Sequence, residues 1–203
     1  MYAIITDGSI SGYINHPKSI TIGDVLYPAK IFSIWTASEL AAIGIIEVTF
    51  DNSKKKDEQW YINTDQTYTY DASAGTVTAT YGDATANAHA DSLFTAQDET
   101  DGLGTEGEVK VEGLKTQLIR TIKQQAAGIL QDTDWYIVRK ADAGTAVPSS
   151  ITNHRAAVRT KAAEMETAIT NASDTRALET LYTYTTTDGV QSRPLGELPT
   201  LES

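Results

Sequence analysis

The sequence predicts an α+β chain: an antiparallel β-sandwich-like domain over residues 1–100, followed by an α-helical domain over residues 114–184. Three observations carry this. Between Gln59 and Tyr81 apolar residues alternate with period two, the spacing of a half-buried strand. After Gly113 they recur every three and four residues, the spacing of one helix face. Between these regions Gly102, Gly104, Gly107 and Gly113 interleave with acidic residues and few apolar anchors, which reads as a linker or mobile loop over residues 101–113, with Val109 and Val111 still able to pair as an edge strand.

Residues 2–5 form a short strand stopped by Asp7-Gly8, with residues 10–14 as its return. Residues 20–22 and 25–27 are further apolar runs, punctuated by Gly23-Asp24 and Pro28. Thr36-Ala37-Ser38-Glu39 is a helix start, in which the Thr hydroxyl and the Glu carboxylate cap each other's amides. Leu40, Ala41 and Ile43 give that helix its apolar face, and Gly44 supplies the left-handed residue that ends it. Residues 45–50 are β-branched and strand-like. Lys54-Lys55-Lys56, followed at once by Asp57-Glu58, reads as a solvated hairpin tip. Trp60-Tyr61-Ile62 and Tyr68-Thr69-Tyr70 flank a polar turn, and Asp71-Ala72-Ser73-Ala74-Gly75 turns into the strand 76–81. These runs describe an antiparallel meander.

In the second half Leu114, Leu118, Ile122, Gln125 and Ile129 outline an amphipathic helix of about five turns. Residues 135–140 are an apolar bridge, and Pro148 opens a second, longer helix. There Ile151, Arg155, Val158, Ala162, Met165 and Ile169 follow heptad spacing, with Arg155 the one polar intruder. Ser173-Asp174-Thr175 caps a third helix carrying Leu178, Leu181 and Tyr182. Residues 185–203 are polar, contain Pro194 and Pro199, and read as an extended tail.

The chain of 203 residues has a formal net charge of −11 and no cysteine. The first 100 residues carry −8 and the remainder −3, so phosphate neutralisation has no broad basic surface to use and nucleic acid is not an expected partner. Disulfides and cysteine-held metals are excluded. No basic region precedes the first apolar run, so a signal peptide is not expected. No run approaches the roughly 18 apolar residues that span a bilayer, so no membrane partner is expected.

No catalytic or metal-ligating set emerges. His16, His89 and His154 are isolated, and nothing completes a site around His89 and Asp91. His154 lies off the apolar seam and is expected at the surface or in an interface. Gly102, Gly104 and Gly107 match the dinucleotide string formally, but acidic neighbours would repel a pyrophosphate. No cofactor and no metal are expected, and the chain is read as a binding protein rather than an enzyme.

Binding has better support. Trp60, Tyr61, Tyr68, Tyr70 and Tyr81 concentrate aromatic area on one meander; alternation sends some rings to the core and others to an exposed face suited to a protein client. The heptad seam admits two uses, packing within one chain or self-association. The expectation taken is that its six residues hold copies together.

The run Ile129-Leu130-Gln131-Asp132-Thr133-Asp134-Trp135-Tyr136-Ile137-Val138-Arg139-Lys140 resembles the L-x-x-T-D-W helix-end motif of phage tail-fibre assembly chaperones and related tail proteins. The likeness continues through Gly144-Thr145-Ala146-Val147-Pro148 and His154-Arg155-Ala156-Ala157-Val158-Arg159. It covers about a third of the chain, roughly residues 114–182, with Asp134, Trp135, Tyr136 and Arg139 as the motif residues. Tyr27-Pro28, Trp35, Glu39-Leu40 and Gly44 are similar to the leading domains of phage tail proteins. The resemblance implies a chaperone that binds the distal part of a trimeric receptor-binding fibre, its partner, in the host cytoplasm. The β-half would hold the client, and the helical half would bring copies together as a homo-oligomer, a trimer on a trimeric fibre. Its alternative is a permanent component of the tail, a fibre or baseplate adaptor.

Overall fold

A computed structural model describes residues 1–201. The chain divides into two compact units, Met1–Thr85 and the remainder from Ala86, mixing strands and helices as an α+β chain does.

In the first unit β1 (Tyr2–Thr6) and β2 (Ser9–Ile14) form the expected hairpin. Asp7 and Gly8 at its tip have φ of 51° and 74°, the left-handed pair that a type I′ turn requires. β3 (Ile20–Ile22) and β4 (Val25–Tyr27) make a second hairpin, followed by α1 (Ile31–Ile34) and α2 (Ala37–Ala42). The capping box of α2 forms as read, with the Thr36 amide donating to the Glu39 carboxylate at 2.7 Å. Gly44 then takes φ of 78°, and a Cβ there would lie 2.6 Å from the Ile5 carbonyl oxygen. It therefore ends α2 and also lets β5 (Ile45–Asp51) close onto β1.

Four strands follow: β6 (Tyr61–Ile62), β7 (Gln66–Asp71), β8 (Thr76–Tyr81) and β9 (Thr85–Ala86). The main sheet has the order β2-β1-β5-β8-β7. Two expectations are corrected here. The meander is not antiparallel throughout, because β8 pairs with β5 in parallel while β7 pairs with β8 as a hairpin. The run at Trp60 joins neither, since β6 pairs with β9. The long connection from β5 to β8 provides the crossover that parallel pairing needs.

The sheet buries both faces without a facing sheet of comparable size. Ile14 and Ile45, with Tyr2 and Ile4, are covered by Ile20, Ile31 and Leu40 from the β3–β4 hairpin and the two short helices. The opposite face gathers Ala3, Val48, Val77 and Ala79 under Tyr68 and Tyr70. That second cluster lies inside a curl, because the rings of Tyr13 on β2 and Tyr68 on β7 meet at 4.8 Å although these are the two edge strands. The small side chains of Ala3 and Ala79 suit a tightly curved interior. A single curled sheet thus stands where a sandwich was expected.

In the second unit the supposed linker is folded. β10 (Ser92–Leu93) pairs with β11 (Val109–Val111), and α3 (Ala96–Thr100) lies between them on a Thr95–Asp98 capping box. Glycine serves close approach here: a Cβ on Gly113 would fall 2.3 Å from the Ala90 carbonyl carbon. α4 (Leu114–Gln131) and α6 (Ser149–Asn171) run antiparallel. At one end Lys115 of α4 donates to the Thr170 carbonyl near the end of α6; at the other, Arg155 near the start of α6 donates to the Leu130 carbonyl of α4. Between them lies α5 (Asp134–Ala143), ended by Gly144 at φ 68°. The run read as an apolar bridge is therefore a helix. α7 (Thr175–Tyr182) starts on Asp174, which accepts from the Ala177 amide at 2.7 Å.

Of the tail expected over residues 185–203, positions 202 and 203 lie outside the described residues, and the described part is not extended throughout. β12 (Thr185–Thr187) and β13 (Val190–Ser192) form a hairpin, after which Leu195 is buried and its amide donates to the Leu181 carbonyl. No helix among the described residues is long and apolar enough to cross a membrane.

Candidate functional site

The six seam residues Ile151, Arg155, Val158, Ala162, Met165 and Ile169 are all buried within one chain, Val158 and Ile169 completely. They are the core between α6 and the buried face of α4, which is formed by Leu114, Leu118, Ile122 and Ala126. Heptad spacing gives the same stripe to either use, and here the partner is the neighbouring helix. The seam is not a free face for a second copy. His154, expected at the surface or in an interface, is buried next to it.

The aromatic client face is likewise redistributed. Trp60 is buried, and Tyr68 and Tyr70 pack against the cluster inside the curl. Tyr61 and Tyr81 are half-buried, with the Lys55 ammonium 5.9 Å above the Tyr81 ring. The outward positions of β7 and β8 carry threonines instead, such as Thr67, Thr69 and Thr76. Alternation was read correctly, but the rings take the inner face. His89 and Asp91 form no chemical pair: Asp91 accepts from the Gly113 amide at 2.7 Å and the Thr116 hydroxyl at 2.8 Å, pinning the start of α4. These hydrogen bonds, the amide's first, hold its carboxyl below the usual range. Gly102 and Gly107 serve left-handed turns.

The motif residues, by contrast, converge. Arg155 projects from the seam towards the end of α4. Its Nη1 donates to the Leu130 carbonyl and to Thr133 Oγ1, both at 2.6 Å, and its Nη2 meets Asp134 Oδ1 at 2.8 Å. One guanidinium thus satisfies a helix C-terminus and latches the first turn of α5.

Beyond that latch α5 has no cover. None of its ten residues is buried. Trp135 is 51% exposed, Val138 66% and Ile137 44%. The Trp135 and Tyr136 rings lie 3.9 Å apart. The Arg139 guanidinium stacks 4.5 Å from the Trp135 centroid and 5.4 Å from that of Tyr136, within cation–π range. Its Nε is hidden from solvent without a hydrogen-bond partner among the described residues. Trp, Tyr and Arg are the residue types enriched at interface hot spots. A helix this short is marginal in isolation, so α5 is held at its first turn, through Asp134, rather than by a buried face. The sequence signal that finds it is the bracket of Asp134 in the first turn and Gly144 just past the last.

No family model, curated protein or solved structure matches the chain.

Proposed function

We propose that this chain is an assembly chaperone for a bacteriophage tail fibre, and that it meets its partner through α5. The observation that carries the reading is the Trp135–Tyr136–Arg139 cluster, with Trp135 exposed and the other two half-buried, on a helix latched at Asp134. These are the residues by which the chain resembles tail-fibre chaperones. A fibre segment offering an apolar surface beside a carboxylate complements a ring pair with a guanidinium laid across it. Such a fibre exposes unpaired strand edges before its three chains associate. A bound chaperone keeps these apart from wrong partners, and the work takes place in the host cytoplasm during assembly.

Co-expression with a candidate fibre tests this. The fibre is expected to be soluble and trimeric with the natural chain and insoluble without it, and mature virions are expected to lack the chain. Trp135→Ala should weaken fibre binding by about 30-fold, the loss typical of a central hot spot, with helix content unchanged. A fibre equally soluble and trimeric without the chain sinks the proposal, and stoichiometric retention in virions favours a permanent tail component.

A further inference from the structure

With the seam internal, another device for self-association stands out at the C-terminal end, and it does not depend on the identity of the partner. Residues 193–201 lie as a strap across α4 and α6. Leu195 is its plug, 2% exposed. The Arg193 guanidinium sits 5.2 Å from both the Tyr182 and Tyr184 rings and pairs with Glu197 at 2.8 Å, while the Tyr184 hydroxyl donates to Glu197 at 2.5 Å. A cavity of about 490 Å³ separates the strap, at Arg193 and Leu198, from Gly128, Ile129 and Met165. Further along, Thr200 and Leu201 line a second cavity, of about 280 Å³, with Thr133 and His154.

The segment leading into the strap is built differently. Every residue from 183 to 192 is exposed, and the β12–β13 ladder has only three residue pairs. Its tip holds Asp188 at φ 53°, a conformation that a non-glycine residue adopts at some cost. An isolated two-stranded hairpin is at best marginally stable. A well-anchored end on a weakly held, foldable arm is the arrangement that permits exchange of an element between identical chains. Opening the hairpin frees about 30 Å of extended chain and relaxes Asp188. The strap loses none of its contacts if it lands in the same groove of another copy, and the two opened arms are free to pair with each other.

We propose that two copies of this chain exchange their C-terminal straps, Leu195 and Arg193 of each docking beside the other's α7 and Leu198 facing its α4 and α6. The absence of cysteine allows a direct test. One preparation carries Leu198→Cys, the other Gly128→Cys, where a Cβ meets nothing within 4 Å. Because a cavity lies between the two positions, too wide for a disulfide, the two are mixed at high concentration and treated with a flexible bis-maleimide, and a covalent product joining residue 198 of one chain to residue 128 of the other is expected. Adding Leu195→Asp to the first preparation should abolish it, and deleting Asp188 and Gly189 should raise its yield severalfold by preventing the fold-back. A chain carrying both cysteines reports on the docked strap itself. If that chain closes only on itself at every concentration and the mixed preparations never join, exchange is refuted. If it fails to close at all, the strap does not dock as described and the proposal falls with it.

Discussion

Arg155 is the one residue of its buried row that also ties helix ends together by polar contacts. Its fork joins Leu130, Thr133 and Asp134 from a side chain that is itself buried. Removing the guanidinium takes charge-assisted hydrogen bonds from Leu130 and Thr133, although Thr133 still donates to the Leu130 carbonyl, and such a loss costs about 1.5–3 kcal/mol. Arg155→Ala is therefore expected to destabilise the second unit by that amount in urea titration, with amide protection lost first in α5. Arg155→Lys should recover little, because an ammonium cannot reproduce the planar fork. Asp134→Asn should cost under about 1 kcal/mol, since that end of the pair is largely exposed. Equal losses for Arg155→Ala and Asp134→Asn would show that the latch, not the cap on α4, is the important contact. The sequence marked Arg155 as out of place in an apolar row. It could not reveal why, because periodicity specifies a face and says nothing about which carbonyl lies opposite.

At the scale of elements, legibility followed the source of each element's stability. The β1–β2 hairpin, α2, α4, α6 and α7 were readable because turn residues, caps or apolar periodicity define them locally. The linker expected over residues 101–113 is folded because polar contacts pin it, and Val109 and Val111 form the edge strand that their alternation allows. Lys110 meets Asp98 at 2.6 Å, and Asp98 also accepts from the Thr95 amide and hydroxyl. The hairpin at Asp188-Gly189 repeats the signal read correctly at Asp7-Gly8, yet without flanking apolar alternation it passed as tail. Asp98 yields a pH prediction. The Lys110 ammonium first, then the Thr95 amide and hydroxyl, lower its pKa to about 2, against about 3.9 in an unfolded chain. Between these values the unfolded chain binds a proton that the folded one does not, so stability present above about pH 4 is lost as the pH falls towards 2. Amide exchange in β10 and β11 should accelerate over that window relative to α4, and Asp98→Asn should flatten the dependence. Unchanged protection down to pH 2 would contradict this.

At the scale of the whole molecule, what the sequence hid is pairing between distant segments. The residue pattern of β8 is the same whether its neighbour runs parallel or antiparallel, and the assumption that successive strands pair selects the wrong answer for β5 and β8. The heptad seam has the same ambiguity, since burial on α4 and burial on another copy demand identical spacing. Met165→Asp separates these. Met165 is 1% exposed within a single chain, and truncating such a side chain alone costs about 2–5 kcal/mol. A carboxylate there adds the penalty of burying a charge without a partner. Against the 5–15 kcal/mol that stabilises a typical domain, the helical unit should unfold. The first unit has its own two clusters, and Trp60 is buried within it. Far-UV circular dichroism is expected to lose most of its helical signal, while the backbone amides of residues 1–85 keep their dispersed resonances. A variant that stayed fully helical and merely fell in mass would place the seam between copies. Loss of both units together would mean that the first depends on the second for its fold, despite having a core of its own.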